Sequence, residues 1–307
     1  NLLSFYIQNI EYINLIYIIY KMDRREDLYK NFIKNKHLKK INQFCFEGKI
    51  KYQEELTRLI HIYLSENISY SGYKVKKSEL DFLINNKKNI LKIKTLSLNG
   101  AIYPKKETQL IYNLIIVYIL KSLDSILPYI DSMFLPTIRL KTNKKTNNSF
   151  STNILHSDAW SSGDTSDAVI SIPITGDIVN NGVNFFECKT ISDDFFLEQK
   201  NYVSKDNLYG KIKKIYSLRK KHWVIFDHSI LHQSTTNSDS KPRISVDIIV
   251  CIKKRSLKNI NYKLGPSFSP KELKKIGQSS YIDTIENYEQ AIIRNKNKDK
   301  KKKFLSR

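Results

Sequence analysis

From Thr137 onward the chain is written as short apolar runs separated by polar turns, and that texture limits the folds open to it. TIRLKT leads into the polar loop NKKTNNSFSTN and then ILHSDAW. DAVISIPIT, a turn signal at Asn180-Asn181-Gly182 with VNFFE behind it, HWVIFDHSILHQS and RISVDIIVCI follow. Runs of this kind bounded by Asn, Gly, Ser and Pro predict strands, and many in succession predict a sandwich or barrel. The last run alternates cleanly. Arg243, Ser245 and Asp247 fall on one face and Ile244, Val246, Ile248 and Val250 on the other, because successive strand side chains point to opposite sides.

Ahead of this region, from Met22 to about Tyr129, the pattern is mainly helical. In KYQEELTRLIHIYLSE the apolar positions Leu56, Leu59, Ile60, Tyr63 and Leu64 keep helical spacing, with His61 beside the stripe as a surface residue. Glu107–Leu127 is apolar nearly all round and stops before Pro128, as a helix packed under a sheet would. A further helix is expected from Ser269. The expected class is α+β. Its divisions are an apolar leader over 1–21, a helical part over 22–130, a β-rich core over 131–255 and a basic extension over 256–307. The leader carries Gln8, Asn9, Glu11 and Asn14 and no basic start, which makes it a poor signal peptide and a poor membrane span. It is either an artefact of where translation is taken to begin, Met22 being the first methionine, or a packed amphipathic helix.

The net charge of +22 permits contact with nucleic acid. Much of it, however, lies in dispersed lysines and in the tail Asn295–Lys303, and no aromatic-interleaved basic motif accompanies it. The abundance of Lys, Asn, Ile and Tyr also follows from an AT-rich genome. Nucleic-acid binding is therefore the minor alternative. Cys45, Cys188 and Cys251 are odd in number and far apart, which argues against a disulfide framework or thiolate zinc site and for a reducing cytoplasm.

The chemistry concentrates in a few polar side chains. His156 and Asp158 lie two positions apart and would share a strand face, an arrangement that suits a metal or an ordinary hydrogen-bonded pair. Of six histidines, His222, His228 and His232 fall in or beside the last two strands. His232 closes its apolar run, and after one polar turn Arg243 opens the next strand. An inward arginine and serine in an apolar strand need an anionic partner, which a dicarboxylate would supply. Two imidazoles and one carboxylate leave three coordination positions open, the arrangement of non-haem Fe(II) oxygenases. A bidentate 2-oxo acid then takes two positions and O2 the third. The plain alternative is a structural His156–Asp158 hydrogen bond with Arg243 in a core ion pair. His228 competes with His232 as the distal ligand but lacks the turn behind it.

The stretch HSDAWSSGDTSDAVISIPITGD resembles the phytanoyl-CoA dioxygenase-like 2-oxoglutarate/Fe(II) oxygenases, in particular a bacterial subgroup of sporadic carbohydrate-biosynthesis clusters and aminoglycoside pathways. The shared pattern is His-x-Asp, a Gly-x-Ser/Thr-type loop and an apolar strand ending here in Pro173-Ile174-Thr175. WVIFDHSILHQSTTNSDSKPRISVDI is similar to the family's second half, and the resemblance spans about Thr137 to Ile252. It implies a double-stranded β-helix core (jelly-roll, cupin-like) with flanking, mainly N-terminal, helices. It implies His156, Asp158 and His232 as iron ligands, and Arg243 on the far carboxylate of 2-oxoglutarate, with Ser234 and Ser245 as helpers. Arg139 resembles an arginine often present on the preceding strand. Ser171 departs from the family, which often has an aromatic there. The carboxylate of Asp158 implies oxygenation, since halogenating relatives replace it with a small residue.

The cofactors implied are Fe(II), 2-oxoglutarate as co-substrate and O2. The partner implied is a small molecule, a sugar or sugar-containing metabolite, with no membrane. Glu187 and Cys188 are expected as surface and packing residues, and Trp160 and Trp223 as core or pocket-wall aromatics. Lys141–Asn153 and Ser192–Lys214 are expected as mobile walls. The rival class is a non-oxidative metal cupin, an isomerase, epimerase or binding protein, which needs no strand arginine.

Overall fold

The computed structural model describes residues 26–69, 101–141, 152–162, 167–197, 199–203, 205–235, 242–252 and 267–278. The apolar leader, the loop over 142–151 and the Lys-rich tail lie outside the described residues. A helix over 26–34 (α1) precedes a hairpin of β1 (Lys39–Asn42) and β2 (Cys45–Lys49), then α2 (Gln53–Ser69) and β3 (Ala101–Ile102). Next come α3 (Gln109–Ser122), β4 (Ser132–Phe134), β5 (Thr137–Lys141) and the short α4 (Ala159–Ser162). The rest is β6 (Asp167–Gly176), β7 (Val183–Cys188), β8 (Ile212–Ser217), β9 (His222–Asp227), β10 (Leu231–Ser234), β11 (Arg243–Cys251), β12 (Ser267–Phe268) and α5 (Pro270–Gln278).

The N-terminal part is less purely helical than its sequence suggests. The β1–β2 hairpin extends the main sheet through β2, where Phe46 lies opposite Ile225 of β9. Four of the five residues of β2 are buried, so the strand shows none of the alternation by which a half-buried strand is recognised. The side chain of Asn42 closes the turn by accepting the Phe44 N–H at 2.9 Å. The expected long helix over 107–127 is three pieces. A 3-10 turn at Lys106–Thr108 runs into α3, and a second, Leu127–Tyr129, accommodates Pro128 in its first turn rather than being stopped by it. The helix expected from Ser269 is present. Ser269 and Glu272 form its capping box, with the Ser269 N–H on the glutamate at 2.7 Å.

Two antiparallel sheets organise the β-rich part. The large one runs β1-β2-β9-β6-β11-β4-β12, with β5 also on β11 and β3 on β5; the small one runs β10-β7-β8. The Asn180-Asn181-Gly182 turn does not close a hairpin. It carries the chain from β6 in the large sheet to β7 in the small one. At the end of β6, Gly176 adopts φ +91°, and a Cβ there would sit 2.1 Å from the Pro242 carbonyl oxygen, so only glycine fits. HWVIFDHSILHQS is likewise two strands rather than one. Asp227 folds back on the turn, accepting the Ser229 N–H at 2.8 Å and its hydroxyl at 2.5 Å, and the chain passes from β9 to β10 in the other sheet.

Strand β11 is the spine of the large sheet, paired along one edge with β6 and along the other with β5 and β4. Its residues Ile244, Val246, Ile248 and Val250 are fully buried, each contributing roughly 1.5–3 kcal/mol. Between the sheets, Phe185 of β7 meets Phe226 of β9 edge-on at 4.9 Å. Among the described residues, no helix is long and apolar enough to cross a membrane.

Candidate active site

His156 and His232 come from segments far apart in the chain and form an isolated antiparallel bridge. The His156 N–H donates to the His232 carbonyl at 3.0 Å and the His232 N–H to the His156 carbonyl at 2.8 Å. Thr152 continues this pairing, its carbonyl accepting the Ser234 N–H at 2.8 Å. ILHSDAW is thus not a full strand. Only His156 is paired, and Asp158 directly precedes α4.

The side chains converge. Nδ1 of His156 lies 2.7 Å from the Ile154 carbonyl, and Nδ1 of His232 lies 3.0 Å from that of Ile230. A carbonyl oxygen only accepts, so each Nδ1 carries the ring proton and each Nε2 presents a lone pair. Those two Nε2 atoms lie 3.9 and 3.7 Å from the two carboxylate oxygens of Asp158. The three residues offer ligand atoms within 4.8 Å of one another, so they could hold a metal ion. His228 stands outside this group. It still helps to hold the Asp158 carboxyl low, and its backbone carbonyl accepts the Ser157 hydroxyl at 2.7 Å and the Ala159 N–H at 3.0 Å and so pins both neighbours of Asp158.

Electrostatics favour ligation. Burial, helped by the adjacent His232, pushes the His156 pKa down to about 3, so its imidazole is neutral at ordinary pH. Burial pushes Asp158 up, but His232 and His156 outweigh it and hold the carboxyl below its usual value. A neutral His156 imidazole and an ionised Asp158 carboxylate are protonation states that metal binding requires.

Aromatic rings enclose the group. Tyr202 stacks on His156 with centroids 4.4 Å apart at 20°, while Phe226 and Phe185 pack against His232 at 5.0 and 6.2 Å. Tyr202 belongs to a second apolar cluster with Trp160, Phe195, Phe196, Leu208 and Leu231. Trp160 and Trp223 are both core residues, as expected. So are the assignments of Glu187 to the surface and Cys188 to partial burial.

The polar face of β11 lies across from β5, with Arg243 opposite Lys141 and Ser245 opposite Arg139. Arg243 is 4% exposed and Ser245 0%. Among the described residues, the guanidinium Nε and Nη1 of Arg243 and the hydroxyl of Ser245 have no hydrogen-bond partner. A buried guanidinium with two nitrogens unsatisfied is costly, and Asp247, which acts on it, is also bound to Arg139 and Ser171, so a further anion fits here. Burial pushes the Arg243 pKa down to about 10, which still leaves it charged at neutral pH. Arg139 is ion-paired, its Nε 2.7 Å from Asp247. The other oxygen of Asp247 accepts the Ser171 hydroxyl at 2.9 Å. A serine in place of an aromatic residue thus helps to fix the ion pair. Ser234, also buried, lies with its hydroxyl 3.4 Å from that of Thr152.

Two residues escaped the sequence reading. Tyr202 sits in an irregular stretch with no periodicity to mark it. Lys141 shares a strand face with Arg139 in TIRLK, and that signal was available. Lys141 hydrogen-bonds the Thr152 hydroxyl. It lies close enough to His156 to depress the imidazole further, and Arg139 likewise acts on Asp158, so both cations face the same interior as the histidines.

No family model matches this sequence, and no curated protein matches it. Among solved structures, the chain is similar to the non-heme alpha ketoglutarate dependent epimerase SnoN from nogalamycin biosynthesis, at TM-score 0.29 and 14% identity, over 47% of this chain and 56% of that one. The complex of SnoN with Fe3+, alpha ketoglutarate and nogalamycin RO matches at the same score and identity, over 59% of its length. The chain therefore spans just over half the length of these two. It is also similar to the apo form of the non-heme monooxygenase ThoJ, at TM-score 0.35 and 12% identity, over 89% of this chain and 100% of that one.

Proposed function

We propose that the chain is a non-haem iron, 2-oxoglutarate-dependent oxygenase acting on a small metabolite. The observation that carries this reading is the pairing of a two-histidine, one-carboxylate cluster with a buried arginine, two of whose guanidinium nitrogens have no hydrogen-bond partner among the described residues. A metal held only for structure or for non-oxidative chemistry leaves that arginine without a purpose.

In this reading Nε2 of His156, Nε2 of His232 and a carboxylate oxygen of Asp158 would hold ferrous iron. Bound there, iron supplies the coupling of O2 reduction and 2-oxo acid decarboxylation to oxidation of a substrate C–H bond. The protein's own work is orientation and exclusion. The carbonyls of Ile154 and Ile230 fix the tautomer and tilt of the two imidazoles. Arg243 pairs with the far carboxylate through its planar fork, with the hydroxyls of Ser245 and Ser234 as further donors. Tyr202 and the apolar cluster behind it cover His156 and keep water from that side. Arg139, held by Asp247, braces the strand pair instead of binding the co-substrate directly.

The strands of 131–255 form a double-stranded β-helix core, which β1, β2, β3 and β12 extend at the edges of the large sheet and which α1, α2 and α3 flank. The substrate is a sugar or sugar-containing metabolite, by the resemblance of the two motif stretches. A cytoplasmic setting accords with the free cysteines Cys45, Cys188 and Cys251. The test is succinate formation from 2-oxoglutarate with Fe(II) and O2. Asp158→Ala should abolish it, and Arg243→Ala should raise the concentration of 2-oxoglutarate required. A wild-type protein that binds iron but never consumes 2-oxoglutarate would instead be the non-oxidative metal cupin.

A further inference from the structure

A line of oxidisable rings leads away from the histidine cluster. Tyr202 stacks on His156 with centroids 4.4 Å apart, and the Trp160 centroid lies 6.2 Å from that of Tyr202. Tyr209 follows at 6.3 Å from Trp160, its ring within 14° of parallel to the indole. Tyr202 and Trp160 are buried and Tyr209 is half-buried, so the line runs from the cluster towards solvent. Phe195, Phe196, Leu208 and Leu231 fill its sides, and these give up electrons far less readily.

The backbone holds each ring in place. The Trp160 carbonyl accepts the Gln199 N–H at 2.7 Å, which tethers the stretch that carries Tyr202. Tyr209 forms an isolated bridge with Ile191. The polar atoms then give the line a direction. A phenol that loses an electron must also shed its proton, because its radical cation is a strong acid. Tyr202 hydrogen-bonds the Ser161 hydroxyl, which is no base. The Nε1–H of Trp160 has no hydrogen-bond partner among the described residues. Tyr209 donates to the exposed Asp206 carboxylate at 2.7 Å, so a proton acceptor stands ready. An oxidising equivalent therefore comes to rest at Tyr209 and not at Tyr202.

The function proposed above creates the need for such a path. If O2 and the 2-oxo acid react before a substrate C–H bond is in place, a two-electron oxidising equivalent is left beside His156, and the protein must exclude the competing reactions. Resting on that reading, we infer that Tyr202, Trp160 and Tyr209 form a relay that carries oxidising equivalents from the metal site to the surface and protects the histidine cluster. In each passage Tyr209 gives up one electron through Trp160 and Tyr202, its O–H bond breaks, and the proton moves to Asp206 and on to water. A thiol in solution returns a hydrogen atom to the tyrosyl radical. Two passages, with two protons taken from solvent at the site, reduce one oxygen atom to water while two thiols become a disulfide.

The experiment is rapid freeze-quench electron paramagnetic resonance of iron-loaded protein mixed with 2-oxoglutarate and O2, without substrate or thiol. Peptide mass spectrometry of the same samples locates the oxidised residues. The relay predicts a tyrosyl radical in the wild type, its loss in Tyr209→Phe, and a weaker signal in Asp206→Asn, which leaves every ring in place. Oxidation maps to the peptide carrying Tyr209 in the wild type and moves to the peptide carrying His156 in Tyr209→Phe and Trp160→Phe. The initial rate of succinate formation is the same in Tyr209→Phe as in the wild type. A radical that survives in Tyr209→Phe, or equal oxidation of the His156 peptide in that variant and the wild type, overturns the relay and leaves the oxygenase reading standing. So does a wild type that binds 2-oxoglutarate at iron but never consumes it without substrate. A wild type that neither binds nor consumes it overturns both.

Discussion

His156 and His232 hold each other by two backbone hydrogen bonds, at 3.0 and 2.8 Å, and each ring is then turned by a carbonyl two residues before it. The same local device sets both imidazoles, and their lone pairs point to a common spot beside Asp158. The geometry is prepared before any metal arrives. This has consequences that can be measured.

Asp158→Ala should lower iron affinity by at least about a hundredfold, since loss of an outer partner alone costs 10–100-fold. It should leave the fold intact, because the backbone around Asp158 is held by Ser161 and by the His228 carbonyl rather than by the carboxylate. Equilibrium dialysis against iron, with circular dichroism as the control, checks both halves.

Arg243→Met should separate stability from function. Removing a buried charge with two nitrogens unsatisfied among the described residues is predicted to leave the ligand-free protein as stable as wild type or more so, since Asp247 keeps Arg139 as its partner. The same change should abolish the rise in melting temperature that 2-oxoglutarate gives the iron-loaded wild type. A large drop in stability without ligand would mean that the guanidinium already has a structural partner.

His156 sets the acid limit of the metal-free protein. Its folded pKa of about 3 lies below the unfolded value, so the folded state binds fewer protons and stability rises with pH between the two. Stability is complete above about pH 6.5 and falls as the pH drops toward 3, by up to about 1.4 kcal/mol per unit. Urea unfolding at several pH values should show this slope, and His156→Gln should flatten it.

Tyr202→Phe keeps the ring on His156 and should change stability by no more than about 1 kcal/mol. Tyr202→Ala empties part of the second apolar cluster, with an expected cost of about 3 kcal/mol, and opens one side of the histidine to water. The alanine variant should release its metal to a chelator faster than wild type, and the phenylalanine variant at the wild-type rate.

The sequence was most informative where one side of an element is polar. The alternation of RISVDIIVC exposed Arg243, Ser245 and Asp247 as a set, and the structure keeps them on one face opposite Arg139 and Lys141. His156 and Asp158 were paired on strand logic, and they do meet, although by a bridge followed by a helical turn. Where burial is continuous the same logic had nothing to hold. HWVIFDHSILHQS hid a change of sheet at Asp227–Ile230, and CFEGK hid a strand, because residues buried on both sides carry no period. Tyr202 reaches His156 from an irregular segment, which only the tertiary fold brings there.

The central claim is that His156, Asp158 and His232 jointly hold one ferrous ion to which 2-oxoglutarate binds. Anaerobic addition of Fe(II) and then 2-oxoglutarate, followed by the visible absorption of the iron–2-oxo acid chelate, tests it most directly. The wild type should develop the band with a single iron per chain, and His156→Ala, Asp158→Ala and His232→Ala should each lose it. A wild type without the band, or variants that keep it undiminished, would contradict the account.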